Sequence, residues 1–538
     1  MRNVSWNPSA RPLFPLVVPA LLLLAALACS QGTNPVVYVT ATIPAVPSSE
    51  PTLPNPFKPT ATPSGPTATP IQPTPNPTYP PTNTTTTYSV QAGDTLATIA
   101  QAYGTTVEQI ITLNPGVTAS SIINVGQLLT LPGRPTQTTP NFKIIPDSEL
   151  VNSPSVSHFD VGAYIRFQPG FIRVYSETQF GRAMSGAEII QFVATSTSVN
   201  PRLLLALLEY RGGWISNPVP DAALMDYPMG FQDPRFKGLF NQLFWAANTL
   251  NGAYYGWKYR GVRWLEFTDH SRLAYAPELN PGTVAVQYFL SRTVDRAVWM
   301  SQVAPSGFFT TYMSMFGDPF RNAIEPLVPP DIKQPTFQFP FQPGEVWYYT
   351  GGPHGGWDAS GYSGWAAVDF APPQPPDQLV AEQGSCYISP AFATAVVGGI
   401  IARSGDGAVV IDTDMDGDER TGWTVLYLHI AFQDVPDGEV VKAGTVVQPG
   451  SRIGHPSCQG FYLSAAATHL HIARRYNGEW IPADCWACAP GVPAPPFVMS
   501  GWTIRGYPNQ HYQGWMENGG QVRRAEVGRD NPDNQISW

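Results

Sequence analysis

The sequence predicts a multidomain chain: a small βααβ unit, a mostly α-helical middle region, and a C-terminal antiparallel β domain. Three observations lead there. At 538 residues the chain is too long for one hydrophobic core. Apolar residues recur at helical spacing between 150 and 330, whereas after 341 short apolar runs alternate with Gly and Asp turns. Proline-rich segments separate these regions, and the chain holds 57 Pro and 48 Gly. Only 13% of residues are charged and the net charge is -9, so the basic patch of a nucleic-acid binder is missing.

Residues 1–29 read as an export signal. Arg2 and Arg11 supply positive charge, and an apolar run from Leu13 to Ala28 ends at Ala28-Cys29. A Cys directly after a small residue resembles a bacterial lipoprotein cleavage site, although Ala26-Leu27 inverts the usual order there. The resemblance implies an extracytoplasmic protein of the cell envelope, lipid-anchored to the membrane through Cys29. Residues 30–87 are Pro- and Thr-rich and cannot bury a core. As polyproline II, at ~3.1 Å per residue, they would span over ~100 Å.

Residues 88–132 read as the βααβ unit. Tyr88-Ser89-Val90 is a short strand, and Asp94 is placed to cap a helix carrying Leu96, Ile99, Ala100 and Tyr103. Thr105 and Glu108 suggest a capping box for a second helix ending by Asn114-Pro115, and Gly126–Pro132 closes with a strand. This order resembles a LysM domain, which implies binding to the N-acetylglucosamine-containing glycan of peptidoglycan.

After a linker over 133–149, residues 150–330 read as helical. Ser185 and Glu188 form a capping box, and Asn200 is an N-cap with Pro201 behind it. Leu203–Leu208 is apolar all round, as a buried central helix would be, and Gly212-Gly213 ends it. The segment Asn200–Trp214 resembles the catalytic helix of lysozyme-like lytic transglycosylases. Aligned on Trp214, however, Arg211 stands where that family has its acid Glu, and a guanidinium does not give up its proton at working pH. Glu209 is two residues away, about 200° around the helix and off the expected cleft face. The resemblance therefore implies a non-catalytic, degenerate glycan-cleaving domain.

A second linker covers 331–340, and the β domain runs over 341–515, followed by a polar tail at 516–538 expected to be poorly ordered. In Thr468-His469-Leu470-His471-Ile472, two histidines two residues apart share one face of a strand. Tyr427-Leu428-His429 lies upstream, as do Gly352-Pro353-His354 and Val368-Asp369-Phe370. Such a set can supply three ligands and leave a zinc ion an open position.

These motifs resemble the LytM/lysostaphin-type zinc endopeptidases of peptidoglycan, nearest their β-lytic branch. The resemblance implies one zinc ion on His354, Asp369 and His471, with His429 and His469 as the catalytic pair. The usual first His position, four residues before the Asp, holds Trp365; Ala467-Thr468 and Ala473 are further departures. His354 also precedes Asp358 by four residues. Asp369 is favoured because it lies on a strand, while Asp358 lies among glycines and serine. His455 is a spare candidate, and His158, His270 and His511 carry no motif.

Asp412, Asp414, Asp416, Gly417 and Asp418 resemble the start of a calcium loop. Trp423 fills the twelfth position, where the bidentate Glu belongs, so the alternatives are a solvated hairpin turn and a calcium site. In an exported chain the four remaining cysteines suggest disulfides, with Cys386–Cys458 and Cys485–Cys488 the first choice. Together these features predict a zinc-dependent peptidoglycan endopeptidase that grips glycan through LysM and cuts peptide through its C-terminal domain. The alternatives are a non-catalytic scaffold that activates other wall hydrolases, and a glycan-cleaving enzyme working through the middle domain.

Overall fold

The structure, a computed structural model, describes residues 85–538 apart from 91–93, 104, 133–137, 322, 358–359, 374–384, 461–464, 489–490 and 530. The export signal, Cys29, nearly all of the Pro/Thr-rich segment and Asp358 lie outside the described residues. The described part falls within one compact unit of the chain. Among the described residues no helix is long and apolar enough to cross a membrane.

The first unit is β1 (Thr85–Ser89), α1 (Leu96–Tyr103), α2 (Val107–Leu113) and β2 (Leu128–Pro132), with β1 and β2 antiparallel. The βααβ order is the expected one, but the caps differ. The box at α2 is Thr106 with Gln109, not Thr105 with Glu108. Thr95 Oγ1 accepts from Thr98 N–H at the start of α1, which leaves Asp94 for another partner. Its carboxylate accepts from Tyr88 Oη and from Arg272 Nη1 at 2.9 Å. Trp264 packs edge-on against Tyr88 and Tyr103, with centroids 6.0 and 5.8 Å away. The unit is thus docked on the helical region.

That region contains α3 (Val161–Arg166), the β3–β4 ribbon (Ser176–Gln179, Arg182–Ser185), α4 (Gly186–Thr197), α5 (Pro201–Gly212), α6 (Ala222–Asp226) and α7 (Leu239–Tyr259). The β5–β6 ribbon (Trp264–Glu266, Arg272–Ala274) and α8 (Pro281–Leu290), α9 (Arg296–Gln302) and α10 (Phe308–Phe316) complete it. The capping box at Ser185 and the Asn200–Pro201 start are as read from sequence. Gly213 closes α5 at φ +63°, a conformation glycine adopts without strain. Leu203 through Leu208 are all fully buried.

The β domain is built on β7 (Trp347–His354), β8 (Ala367–Ala371), β9 (Ala393–Thr394), β10 (Gly399–Gly405), β11 (Ala408–Asp412) and β12 (Trp423–Leu428). Next come β13 (Val446–Val447), β14 (Arg452–Gly454), β15 (Leu470–Tyr476) and β16 (Glu479–Trp480). The chain ends with β17 (Val498–Met499), β18 (Trp502–Gly506), β19 (Gly514–Asn518), β20 (Gln521–Arg524) and β21 (Gln535–Ile536). The main sheet runs β13-β10-β11-β12-β15-β8-β7-β21, with β16 paired to β15. The expected polar tail is therefore structured: β20 pairs with β19, and β21 lies beside β7. The segments read as linkers also pack, since Ile144 and Ile145 enter the helical core and Phe337 and Phe339 the β core.

Side-chain alternation sorts the sheet into two buried faces. Val409, Ile411, Val425, Tyr427, Ile472, Val368 and Phe370 fill one core with the smaller β elements. Ala408, Val410, Leu426, Leu428, Ala473 and Ala367 face the helices. The β15–β16 hairpin enters the helical region. Glu479 binds Lys258 Nζ at 2.7 Å, Tyr259 Oη at 2.6 Å and Tyr254 Oη at 3.1 Å, all deep in the interface. Fully buried Trp480 donates from Nε1 to Thr197 O at 3.2 Å.

Trp480→Ala should therefore destabilise the chain by ~3–5 kcal/mol, the usual effect of emptying a large buried site. Urea unfolding of the full chain measures it. A fragment of residues 331–538 should expose the helix-facing side of its sheet and bind a hydrophobic dye that the full chain does not bind.

Candidate metal centre

Three neighbouring strands assemble the centre. Asp369 on β8 pairs with His471 on β15 and with Gly351 on β7, and His354 pairs with Ala367. Alternation puts Asp369 and His471 on the face of Ala367 and Ala473, the helix-facing side. His354 Nε2 lies 3.0 Å from His471 Nδ1 and 3.2 Å from Asp369 Oδ1, and the last two atoms are 3.3 Å apart.

The other ring nitrogens define what these three atoms are. His354 Nδ1 is 2.8 Å from Gly352 O, and His471 Nε2 is 2.9 Å from Gly356 O. A carbonyl only accepts, so each of those nitrogens carries the proton. In the neutral rings His354 Nε2 and His471 Nδ1 are then acceptors, both aimed at a carboxylate oxygen. Asp369 Oδ1 is buried and accepts no properly directed hydrogen bond. Three acceptors converge with no proton among them, so a cation is the missing partner. Tetrahedral zinc bonds of about 2.0–2.2 Å place ligand atoms roughly 3.3–3.6 Å apart, close to the observed triangle, so the donor set fits zinc.

Electrostatics agree. Burial opposes the Asp369 charge, but positive charge at the surrounding histidines outweighs it and holds the carboxyl well below its usual range, a part that a bound cation takes when the rings are neutral. Burial pushes His471 down, and burial with His469 and His471 pushes His429 well down, which keeps both rings neutral.

His429 and His469 stand beside this triangle, with rings 4.6 Å apart. His429 Nδ1 faces Gln459 O at 3.3 Å and His469 Nδ1 faces Ala467 O at 2.9 Å, leaving both Nε2 atoms as acceptors. His469 Nε2 is 3.7 Å from Asp369 Oδ1. His429 adopts φ +63° as the chain leaves β12, a conformation costing a β-carbon-bearing residue about 1–3 kcal/mol. Ser457 holds it there: its N–H and its hydroxyl both donate to His429 O, at 2.7 and 2.9 Å. The same residue bridges to His469, and the adjacent Cys458 is bonded to Cys386. Sequence reading missed Ser457; only its place between His455 and Cys458 hinted at it.

Two more residues were missed. Tyr512 stacks on His354 at 4.1 Å, and His511 Nε2 accepts from Gly355 N–H at 3.3 Å. Both come from the β18–β19 connection, far from the motifs in sequence. His455 is not in the centre: its Nδ1 faces Ser389 O at 2.8 Å, and its ring packs on Phe392. His158 and His270 are elsewhere. The second disulfide is Cys485–Cys488.

Among the described residues the helical region carries no comparable centre around Arg211, which is half-buried and donates to Leu290 O at 3.1 Å. Contrary to expectation, Glu209 does face a cavity, of about 530 Å³, with Tyr164, Tyr210 and Ser216. Its carboxylate is already engaged by the N–H groups of Ile215 and Ser216 and by the Ser216 hydroxyl.

Comparison with known proteins finds matches to two domain models and to several peptidases. Residues 88–132 match the LysM domain model and residues 143–329 match the model of the LasA N-terminal domain. The latter match stands where the sequence suggested a lysozyme-like fold. Protease LasA of Pseudomonas aeruginosa (strain UCBPP-PA14) is 22% identical over 338 residues, covering 60% of this chain and 71% of that protein. Among solved structures, the M23 metalloprotease pseudoalterin from the deep sea is 19% identical, covering 36% of this chain and 96% of that one, with a TM-score of 0.25. The lysostaphin catalytic domain from Staphylococcus simulans is 21% identical, covering 27% of this chain and 89% of that one, with a TM-score of 0.17.

Gly351 gives a specific test of the centre. A β-carbon there would lie 2.5 Å from Asp369 Oδ2. Gly351→Ala should weaken zinc binding ~10–100-fold, as disturbing a ligand's support does. Competition with a chromogenic chelator measures it, and an unchanged circular dichroism spectrum shows that the fold persists.

Proposed function

We propose that this chain is an exported, zinc-dependent endopeptidase that cuts peptide cross-links of peptidoglycan and is held on its substrate by the LysM domain. The observation that carries the reading is the convergence of His354 Nε2, Asp369 Oδ1 and His471 Nδ1 with no proton among them. These three residues would hold the metal. Zinc bound there lowers the pKa of a coordinated water and polarises a carbonyl.

The chain's own contribution comes from His429 and His469. Each has its Nδ1–H tied to a backbone carbonyl, so each offers Nε2 toward the substrate side. One imidazole takes the proton of the attacking water and passes it to the leaving amine. The other accepts a second hydrogen bond from that water at its Nε2 and so fixes the direction of attack. His429 is buried and His469 half-buried, so the pair stands at the open side of the centre. Export and attachment through Cys29 rest on the N-terminal sequence alone, and they would put the centre where peptidoglycan is.

Purified full chain loaded with zinc should release peptide-derived fragments from peptidoglycan, identified by mass. His469→Ala should keep zinc and lose turnover by ~10²–10⁴-fold, the usual contribution of a general acid–base group. Asp369→Ala should lose zinc and turnover together. Glycan fragments with new reducing ends would redirect the reading to the helical region. Deleting residues 88–132 should reduce sedimentation with insoluble peptidoglycan and leave turnover of a soluble peptide unchanged.

A further inference from the structure

We propose that the loop closing the β11–β12 hairpin is a second metal site, taking calcium on the carboxylates of Asp412, Asp414 and Asp416. This inference does not depend on the zinc centre. One carboxylate oxygen from each of the three lies within 4.8 Å of the others. Asp412 is fully buried at the end of β11, and its carboxylate accepts from the N–H groups of Asp414 at 3.1 Å and Gly417 at 2.9 Å. That pins one ligand. Asp414 and Asp416 are exposed, and Asp416 is braced by the Asp418 N–H at 2.7 Å and the Thr421 hydroxyl at 3.0 Å, which leaves the loop's carboxylates gathered at one point.

An independent observation comes from the facing strand. Thr424 is the direct cross-strand partner of Asp412, so both side chains leave the same face of the sheet, about 4.5–5.5 Å apart at Cβ. Thr424 is fully buried, and its Oγ1 has no hydrogen-bond partner. A buried hydroxyl without a hydrogen-bond partner, on the residue paired with Asp412, is the mark of a missing polar occupant. An ion, or water on that ion, fills the gap.

The donors are all oxygen, which selects a hard cation rather than zinc. The loop is irregular and its carboxylates are few, which suits calcium better than the octahedral demand of magnesium. Glu419 is not available as a further ligand, because Arg403 and Arg475 hold it at 2.8 and 2.5 Å. With Trp423 at the twelfth position, the site should be weak, in the ~10⁻⁴–10⁻³ M range of extracellular modules. Arg420, four residues beyond Asp416, donates to Val156 O at 2.9 Å and Ser157 O at 3.0 Å. The ion would thus stiffen the loop that ties the sheet to the helical region. A cavity of about 530 Å³, lined by Asp416, Asp418, Arg420 and His158, gives it a way in.

Terbium titration of the zinc-loaded full chain, with excitation through tryptophan, tests the site, because Trp423 closes the same loop. The expected result is a saturable emission that calcium displaces, and a melting temperature that rises with millimolar calcium. Asp414→Asn and Asp416→Asn alter exposed side chains and should fold, retain zinc, and weaken calcium at least ~10-fold, since ligand charge sets affinity. Absence of calcium-displaced emission overturns the proposal. So does equal calcium affinity in the wild type and both variants, which would move the ion elsewhere.

Discussion

Three lone pairs pointed at one another are the constraint on which the site depends. Two imidazoles and a carboxylate meet with their acceptor atoms 3.0–3.3 Å apart, an arrangement that repels itself unless a cation sits among them. The backbone keeps it from relaxing. Gly352 O and Gly356 O hold the protons of the two rings on their outer nitrogens. Gly351 has no β-carbon to push Asp369 aside. Tyr512 covers His354 from the C-terminal segment. The strand ladder supplies the rigidity that side chains alone lack.

The helical region shares the face that bears this centre. Alternation along β15 gives His471 and Ala473 one direction, and Ala473 packs into the helical core. The helices thus complete the interior on one side of the sheet. They also hold the segment that follows His354: Trp480, gripped by Tyr255 and Thr197, lies directly beneath Gly356 and Gly364. Gly356 is the residue whose carbonyl fixes the His471 tautomer. A contact between helices and hairpin is therefore one step from a candidate metal ligand.

The LysM unit is tied to both neighbours. Trp264 and Arg272 of the helical region meet Tyr88, Tyr103 and Asp94, while Asn509 Nδ2 of the β domain donates to Val125 O at 2.8 Å. Asn509 belongs to the same β18–β19 connection as His511 and Tyr512. The LysM unit and the candidate centre are thus linked through one short loop rather than a free tether.

The residues alone determined the elements with local causes. Period-two alternation in His469-Leu470-His471 fixed a shared face, the Asn200–Pro201 start and Gly213 bounded the buried helix, and the βααβ order was legible although its caps were not. The cysteine pairing chosen from sequence is also the one observed. What depended on distant packing was not legible. The polar tail became strands because β7 had a free edge for β21 and β19 one for β20, and polar composition says nothing about available edges. The cap moved from Asp94 to Thr95 because Arg272, 178 residues away, claims the aspartate. Glu209 turned to a cavity, and Ser457 and Tyr512 joined the candidate site, for the same reason. Local sequence sets which face a side chain leaves from; only the tertiary fold decides what it meets there, because its partners come from elements that sequence distance does not relate.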